Sequence, residues 1–148
     1  MIRVDSGPGP LPLRLALVEN AARQALESQA ASGDLTVVLS DDAHLQELNA
    51  RYLGIDAPTD VLSFPSGQAD PETGQAYLGD VIISVPQAQV QAHAAGHSLA
   101  AEVQLLVVHG VLHLLGLDHA QPADKAGMWA AQAEILTRLG LAEIALPE

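Results

Sequence analysis

An α/β fold in one domain, with an α+β-like segregation of some elements, is predicted by three observations on the sequence. Short runs rich in branched aliphatic residues alternate with longer stretches whose apolar residues recur at helical spacing. At 148 residues the chain can bury one sizeable core, and no repeat, low-complexity tract or linker divides it, so the domain is expected to span residues 1–148. Apolar residues make up 49% but aromatic ones only 3%, so Leu, Val, Ile and Ala must fill that core.

Each element has a local cause. Pro12 opens a helix, where its missing N–H costs nothing; Leu15, Val18, Ala22 and Leu26 give that helix an apolar stripe ending near Gly33. Residues 35–39 form a strand by their β-branched content, and Ser40-Asp41-Asp42 caps a second helix carrying Leu45, Leu48 and Tyr52. After a turn from Gly54 to Pro58, residues 61–64 form a short strand ended by Pro65. Residues 66–74 are polar and rich in Gly, Pro and Asp, and read as a loop. Residues 77–85 form a further strand; Pro86 starts a helix through Gln91 to Ala95 that Gly96 ends. Ser98 caps a helix over residues 99–115 that is apolar nearly all round and must therefore be central. Pro122 starts the last helix, through Ile135 to Leu139, with Met128 in it.

The chemistry concentrates in His109-Gly110-Val111-Leu112-His113-Leu114-Leu115-Gly116-Leu117-Asp118-His119. Residues four apart share a helix face, so His109 and His113 can reach one ion together, and Gly116 lets the chain turn so that His119 swings back to it. Three imidazoles leave a fourth tetrahedral position open, as catalytic zinc requires; three His without Cys favour zinc, one ion per chain, over an iron–sulfur cluster, while iron, nickel and copper also accept such a set. The spacing matches that of metzincin proteases, but Gly110 stands where those enzymes carry the Glu that acts as general base.

Charge sets the partners. Net charge is −12, and no Lys or Arg lies between Arg51 and Lys125, which argues against tight, salt-sensitive nucleic-acid binding by the chain alone. A polyanionic substrate would depend on the metal, on backbone amides or on a helper. The absence of Cys removes disulfides and thiolate ligands. Neither a signal peptide's apolar stretch nor a membrane-spanning run is evident, and a cytoplasmic protein is expected.

The histidine run, His109-Gly110-x-Leu112-His113-Leu114-x-Gly116-x-Asp118-His119, resembles the signature of the YbeY family of bacterial endoribonucleases. Further blocks match in order: Leu48-Asn49 with Tyr52; Asp56-x-Pro58-Thr59-Asp60-Val61-Leu62-Ser63-Phe64-Pro65; Leu78-Gly79-Asp80-Val81-x-Ile83-Ser84; and Gly96-His97-Ser98 with Glu102. The resemblance covers roughly residues 35–140. It implies a zinc-dependent, single-strand-specific endoribonuclease of ribosomal RNA maturation, notably near the 16S 3′ end, and of ribosome quality control. It further implies ribosomal RNA and ribosomal particles as partners, with ribosomal proteins or an assembly GTPase, and neither DNA nor membrane. The implied fold is a mixed, mostly parallel four-stranded sheet with about five helices and the metal in a cleft. One position departs: many members carry Arg directly after the tyrosine of the Leu-Asn block, where this chain has Leu53.

Around the three ligands stand residues with more than one reading. Asp118 either orients an imidazole and assists proton transfer or caps the turn after Gly116. Glu102, two turns before His109, is either an acceptor behind the ligands or a carboxylate favoured by the helix dipole. His97 lines the cleft by the family block, while His93, four residues earlier, is separated from it by Gly96. Thr59 and Asp60 are turn and cap residues, Asp80 in an apolar strand needs a buried hydrogen-bond partner, and His44 is a solvated helix residue. Catalytic roles are expected of Asp118, Glu102 and His97. Two other functions compete: another zinc hydrolase of amidase or peptidase type, and a non-catalytic ribosome-assembly factor with structural zinc.

Overall fold

The computed structural model describes residues 1–7 and 11–144. Its elements run β1 (Ile2–Asp5), α1 (Leu15–Ser28), β2 (Asp34–Ser40), α2 (Asp42–Leu53), β3 (Val61–Pro65), β4 (Tyr77–Ser84), α3 (Val85–Ala95), α4 (Leu99–Leu114) and α5 (Pro122–Arg138). The strands form one sheet in the order β1-β2-β4-β3, with β1, β2 and β4 parallel and β3 antiparallel to β4. A mixed, mostly parallel four-stranded sheet with five helices is thus present, as the resemblance implied.

Strand periodicity divides the apolar residues between the two faces of the sheet. Leu35, Val37 and Leu39 of β2 and Val81 and Ile83 of β4 join the main core with residues of α1, α4 and α5. Val38, Ile82, Leu62 and Phe64 join a smaller cluster with Leu45 and Leu48 of α2 on the opposite face. Helix α4 packs against β3, β4, α1, α3 and α5, which is why its sequence is apolar nearly all round.

A close approach fixes α4 on the sheet. A Cβ at Gly110 would meet Val81 Cγ1 at 2.5 Å and Ser63 Oγ at 3.2 Å, and the Ser63 hydroxyl donates to the Gly110 carbonyl at 2.9 Å. Only glycine lets the helix lie this close. Helix starts are set by side chains: Asp41, Ser84 and Ser98 accept from the backbone N–H of His44, Gln87 and Ala101. Asp80 finds the partner it needs in the Tyr77 hydroxyl.

The structure moves several boundaries. The strand β1 was not anticipated; four residues are too few for alternation to stand out, and its partner strand is about thirty residues away. Helix α1 begins at Leu15 rather than Pro12, because Arg14 is extended at φ −88°, ψ 124°, and it ends at Ser28, short of Gly33. Its buried stripe is Val18, Ala21, Ala22, Ala25 and Leu26, with Leu15 exposed. Pro65 is the last residue of β3 instead of its terminator, tolerated because β3 is an edge strand. Val85 starts α3 instead of ending β4, and α4 stops at Leu114. Tyr52 keeps the Leu45 side of α2, but at the helix end it is largely exposed and rests on Phe64 instead of joining the core.

Candidate metal centre

The last turns of α4 carry His109 and His113 one above the other, ring centroids 4.6 Å apart. Leu115 ends the helix, and Gly116 enters the left-handed region at φ 94°, its N–H donating to the His113 carbonyl at 3.0 Å while that of Leu117 donates to Leu112. The reversed chain passes Asp118, whose Oδ1 accepts the backbone N–H of His119 at 2.7 Å. The His119 ring then stands 5.5 Å from that of His109 and 5.2 Å from that of His113. One ligand nitrogen from each of the three lies within 4.8 Å of the others, so the group could hold a metal ion.

A residue of α5 decides which nitrogens are available. Gln132 is fully buried, and its Oε1 sits 2.6 Å from His109 Nδ1. An amide oxygen can only accept, so Nδ1 carries the proton and the Nε2 lone pair is free. That Nε2 lies 3.1 Å from Nε2 of His113. Two nitrogens on one tetrahedral zinc are about 3.3 Å apart, given bonds of roughly 2.0–2.1 Å, so this pair fits such an ion. Trp129, also on α5, stands edge-on to His109 and His119 with centroids 6.0 and 5.5 Å away.

Burial favours the neutral form of two of the rings. Burial chiefly pulls His109 below the usual imidazole range, and the nearby His119 adds to this, against the Gln132 hydrogen bond and Asp60, which raise it. His113 is lowered too, first by burial and then by His109 and His119, with Asp118 opposing. Neutral imidazole is the form that ligates metal.

The three histidines line one wall of a cleft of about 420 Å³. Leu53, Thr59, Asp60, Val61, Leu62, Ser63 and Pro65 supply the rest. Asp60 is held in place there: Oδ1 accepts the Val61 N–H at 2.8 Å and Oδ2 the Gln91 Nε2 at 3.2 Å. Leu53, the departure from the resembled pattern, therefore lines the cleft.

Among the expected site residues, the structure brings the three ligands together and places the others apart. Glu102 is buried, but its Oε1 meets His97 Nε2 at 2.6 Å, and neither residue lines the cleft. Seven residues at 1.5 Å each put Glu102 about 10 Å from His109 along the helix axis. Asp118 is exposed and lines a neighbouring groove of about 610 Å³ with Asp124 and Glu134. Gly96, at φ 77°, separates His93 from His97, as its sequence position suggested. His44 is held by Ser40, Oγ to Nδ1 at 2.7 Å.

Gln132 was missed by sequence reasoning because its contact with His109 is tertiary. A signal existed: it interrupts the buried stripe Met128, Gln132, Ile135 at helical spacing, and a polar residue on such a stripe demands a partner. Asp60 was read as a turn and cap residue only.

Comparison with known proteins agrees with this geometry. The family model described as "Endoribonuclease YbeY" matches residues 13–140. A protein named Endoribonuclease YbeY from Roseiflexus sp. (strain RS-1) is 46% identical over 134 residues, covering 85% of this chain and 84% of its own. One of the same name from Moorella thermoacetica is 48% identical over 127 residues, 81% of each chain. The solution structure of TM1509 from Thermotoga maritima is similar with a TM-score of 0.59 at 25% identity, over 99% of this chain and 98% of that one.

Proposed function

The chain belongs to the YbeY endoribonuclease family, and from that premise we propose that it is a zinc-dependent nuclease cutting single-stranded ribosomal RNA, as one catalytic domain. The observation that carries this reading is the convergence of His109, His113 and His119 on one point in an open cleft, with the tautomer of His109 fixed by Gln132. One zinc ion per chain at this triad would supply a Lewis acid for phosphodiester hydrolysis.

The chain's own residues then orient and exclude. Gln132 fixes one ligand ring, and Asp118, by accepting the His119 N–H, holds the turn that delivers the third; we give Asp118 this positioning role. His97 and Glu102 hold each other at the start of α4 and brace the helix that carries two ligands. Asp60 is the carboxylate that lines the cleft, and its Oδ2 is our assignment for the atom that holds a proton during cleavage. Position 110 has no room for the carboxylate a peptidase of this spacing needs, which favours the nuclease over that alternative.

At net charge −12 the enzyme attracts RNA poorly, so its productive substrate is RNA presented on a ribosomal particle in the cytoplasm, near the 16S 3′ end. A basic ribosomal protein or an assembly GTPase would supply the missing attraction. The test is cleavage of single-stranded RNA and of casein by the zinc-loaded chain and by His113→Ala. RNA cleavage lost in the variant, with casein untouched by both, supports the reading; casein proteolysis by the parent protein overturns it.

A further inference from the structure

Helix α2 ends in Arg51, Tyr52 and Leu53, and Gly54, at φ 72°, turns the chain into Ile55. Tyr52, Leu53 and Ile55 are 59, 57 and 53% exposed. A lone exposed apolar side chain needs no explanation, but three large ones within four residues make a patch. The patch meets the metal cleft at Leu53. Leu53 is itself a cleft wall, and Tyr52 packs edge-to-face on Phe64, centroids 5.3 Å apart at 64°. Phe64 lies on β3 between the cleft walls Ser63 and Pro65, its own side chain turned to the α2 face of the sheet, so Tyr52 stands across the edge strand from the cleft.

The two rings differ in what supports them. Phe64 is anchored on Leu45, Leu62 and Ile82 under α2, so it is a fixed seat. Tyr52 rests on that seat with most of its surface in solvent, and Arg51 Cζ is 6.0 Å from its ring centroid. From residue 52 to residue 124 there is no other Lys or Arg, and the cleft wall carries Asp60. Beyond Arg51, Lys125 and a bound ion an RNA strand here meets little positive charge, so its bases must supply much of the affinity. Stacking on an aromatic ring contributes about 1–3 kcal/mol per base, tolerates any base, and is open only to a base that is not paired.

Resting on the nuclease reading above, we propose that Tyr52, seated on Phe64, is the stacking platform for an unpaired base of the RNA strand where it leaves the cleft past Leu53. Leu53 and Ile55 pack against the neighbouring nucleotide on the cleft side, and Arg51, on the other side of Tyr52, meets a flanking phosphate. Selection of single strands then originates at the rim of the cleft, in the requirement that a base leave its helix to lie on Tyr52. A protein partner would also cover an apolar patch, but Leu53, shared with the cleft, and Arg51 beside the Tyr52 ring favour a nucleotide.

The experiment uses the zinc-loaded chain, a short single-stranded RNA with one 2-aminopurine, and the same RNA annealed to its complement. Tyr52→Ala should raise KM for the single strand about tenfold with kcat little changed, and should abolish the quenching of 2-aminopurine on binding. Tyr52→Phe should keep both, and all three proteins should hold the same zinc and melt alike, since the side chain is exposed. If the parent protein cuts RNA and Tyr52→Ala matches it in KM and quenching, the platform is wrong while the nuclease reading stands. If Tyr52→Ala is altered only toward ribosomal particles and not toward free RNA, the patch docks a protein, and the proposal again fails. A parent protein that holds zinc yet neither binds nor cuts RNA removes both.

Discussion

Two pairs of histidines stand four residues apart in this chain, His93 with His97 and His109 with His113, and each pair encloses one glycine. Their outcomes are opposite. Gly96 takes a left-handed conformation, ends α3, and leaves His93 exposed while His97 turns to Glu102. Gly110 stays helical because Val81 and Ser63 press against it, so α4 continues and the His109 and His113 rings face each other. A buried polar partner waits at 2.6 Å in both places, but one is a carboxylate that takes up a ring nitrogen for itself and the other an amide that leaves the opposite nitrogen free. Spacing therefore proposes a metal site; the packing of the intervening glycine and the identity of the partner decide it.

The strongest way to break this comparison is to remove one histidine from each pair. His113→Ala should take zinc from one per chain to near zero and reduce RNA cleavage about a hundredfold or more, read by elemental analysis and oligonucleotide assay. His97→Ala should keep its zinc. Loss of metal in the His97 variant would show that the two pairs are not independent.

Exchanging the partners comes next. Gln132→Leu should weaken zinc binding roughly 10–100-fold in a chelator competition, as expected when a group that orients a ligand is lost. Glu102→Gln should leave zinc affinity where it was.

The glycines sharpen the contrast by about 1–2 kcal/mol. Alanine is favoured over glycine inside a helix, yet Gly110→Ala should destabilise by about 2 kcal/mol in urea denaturation, because its methyl would overlap fully buried Val81. Combining it with Val81→Ala should recover part of the loss of the two single changes. Gly96→Ala meets open space and should cost about 1 kcal/mol through its backbone conformation alone.

The smallest effect is on pH. His109 and His113 are held below the ordinary imidazole range, so the unfolded chain, protonating near the usual value of about 6.5, takes up protons that the folded chain refuses. Stability of the metal-free protein should be level above that pH from these two groups and fall as pH drops below it. Zinc affinity should hold somewhat further into acid than for free imidazoles. Denaturation of the metal-free His109→Ala, His113→Ala double variant beside its parent isolates the contribution; identical pH profiles would contradict it.

What the sequence makes legible follows from where proximity is encoded. His109 and His113 share a helix, so spacing alone places them together, and the caps at Asp41 and Ser98 act within three residues of themselves. Gln132 reaches His109 across 23 residues, and only the fold brings them together. The face of Glu102 on α4 follows from helical geometry, but its partner arrives from the turn before the helix. Pro12 is a valid helix opener by its chemistry, yet nothing at Arg14 caps an earlier start. Strand β1 becomes a strand only by pairing with β2.

His119 differs from its fellow ligands in one respect that bears on time as well as place: it rides on the exposed segment between α4 and α5, whereas the other two are built into the central helix. An ion shared by all three would act as a clasp. Each opening of that segment would have to release a ligand, so its opening free energy would rise with metal concentration while that of α4 stayed nearly constant. Amide protons around residues 116–121 should then exchange more slowly with zinc than with chelator, and proteases should nick the chain there only when the clasp is undone. Occupancy becomes a property of backbone kinetics, measurable before any RNA is added.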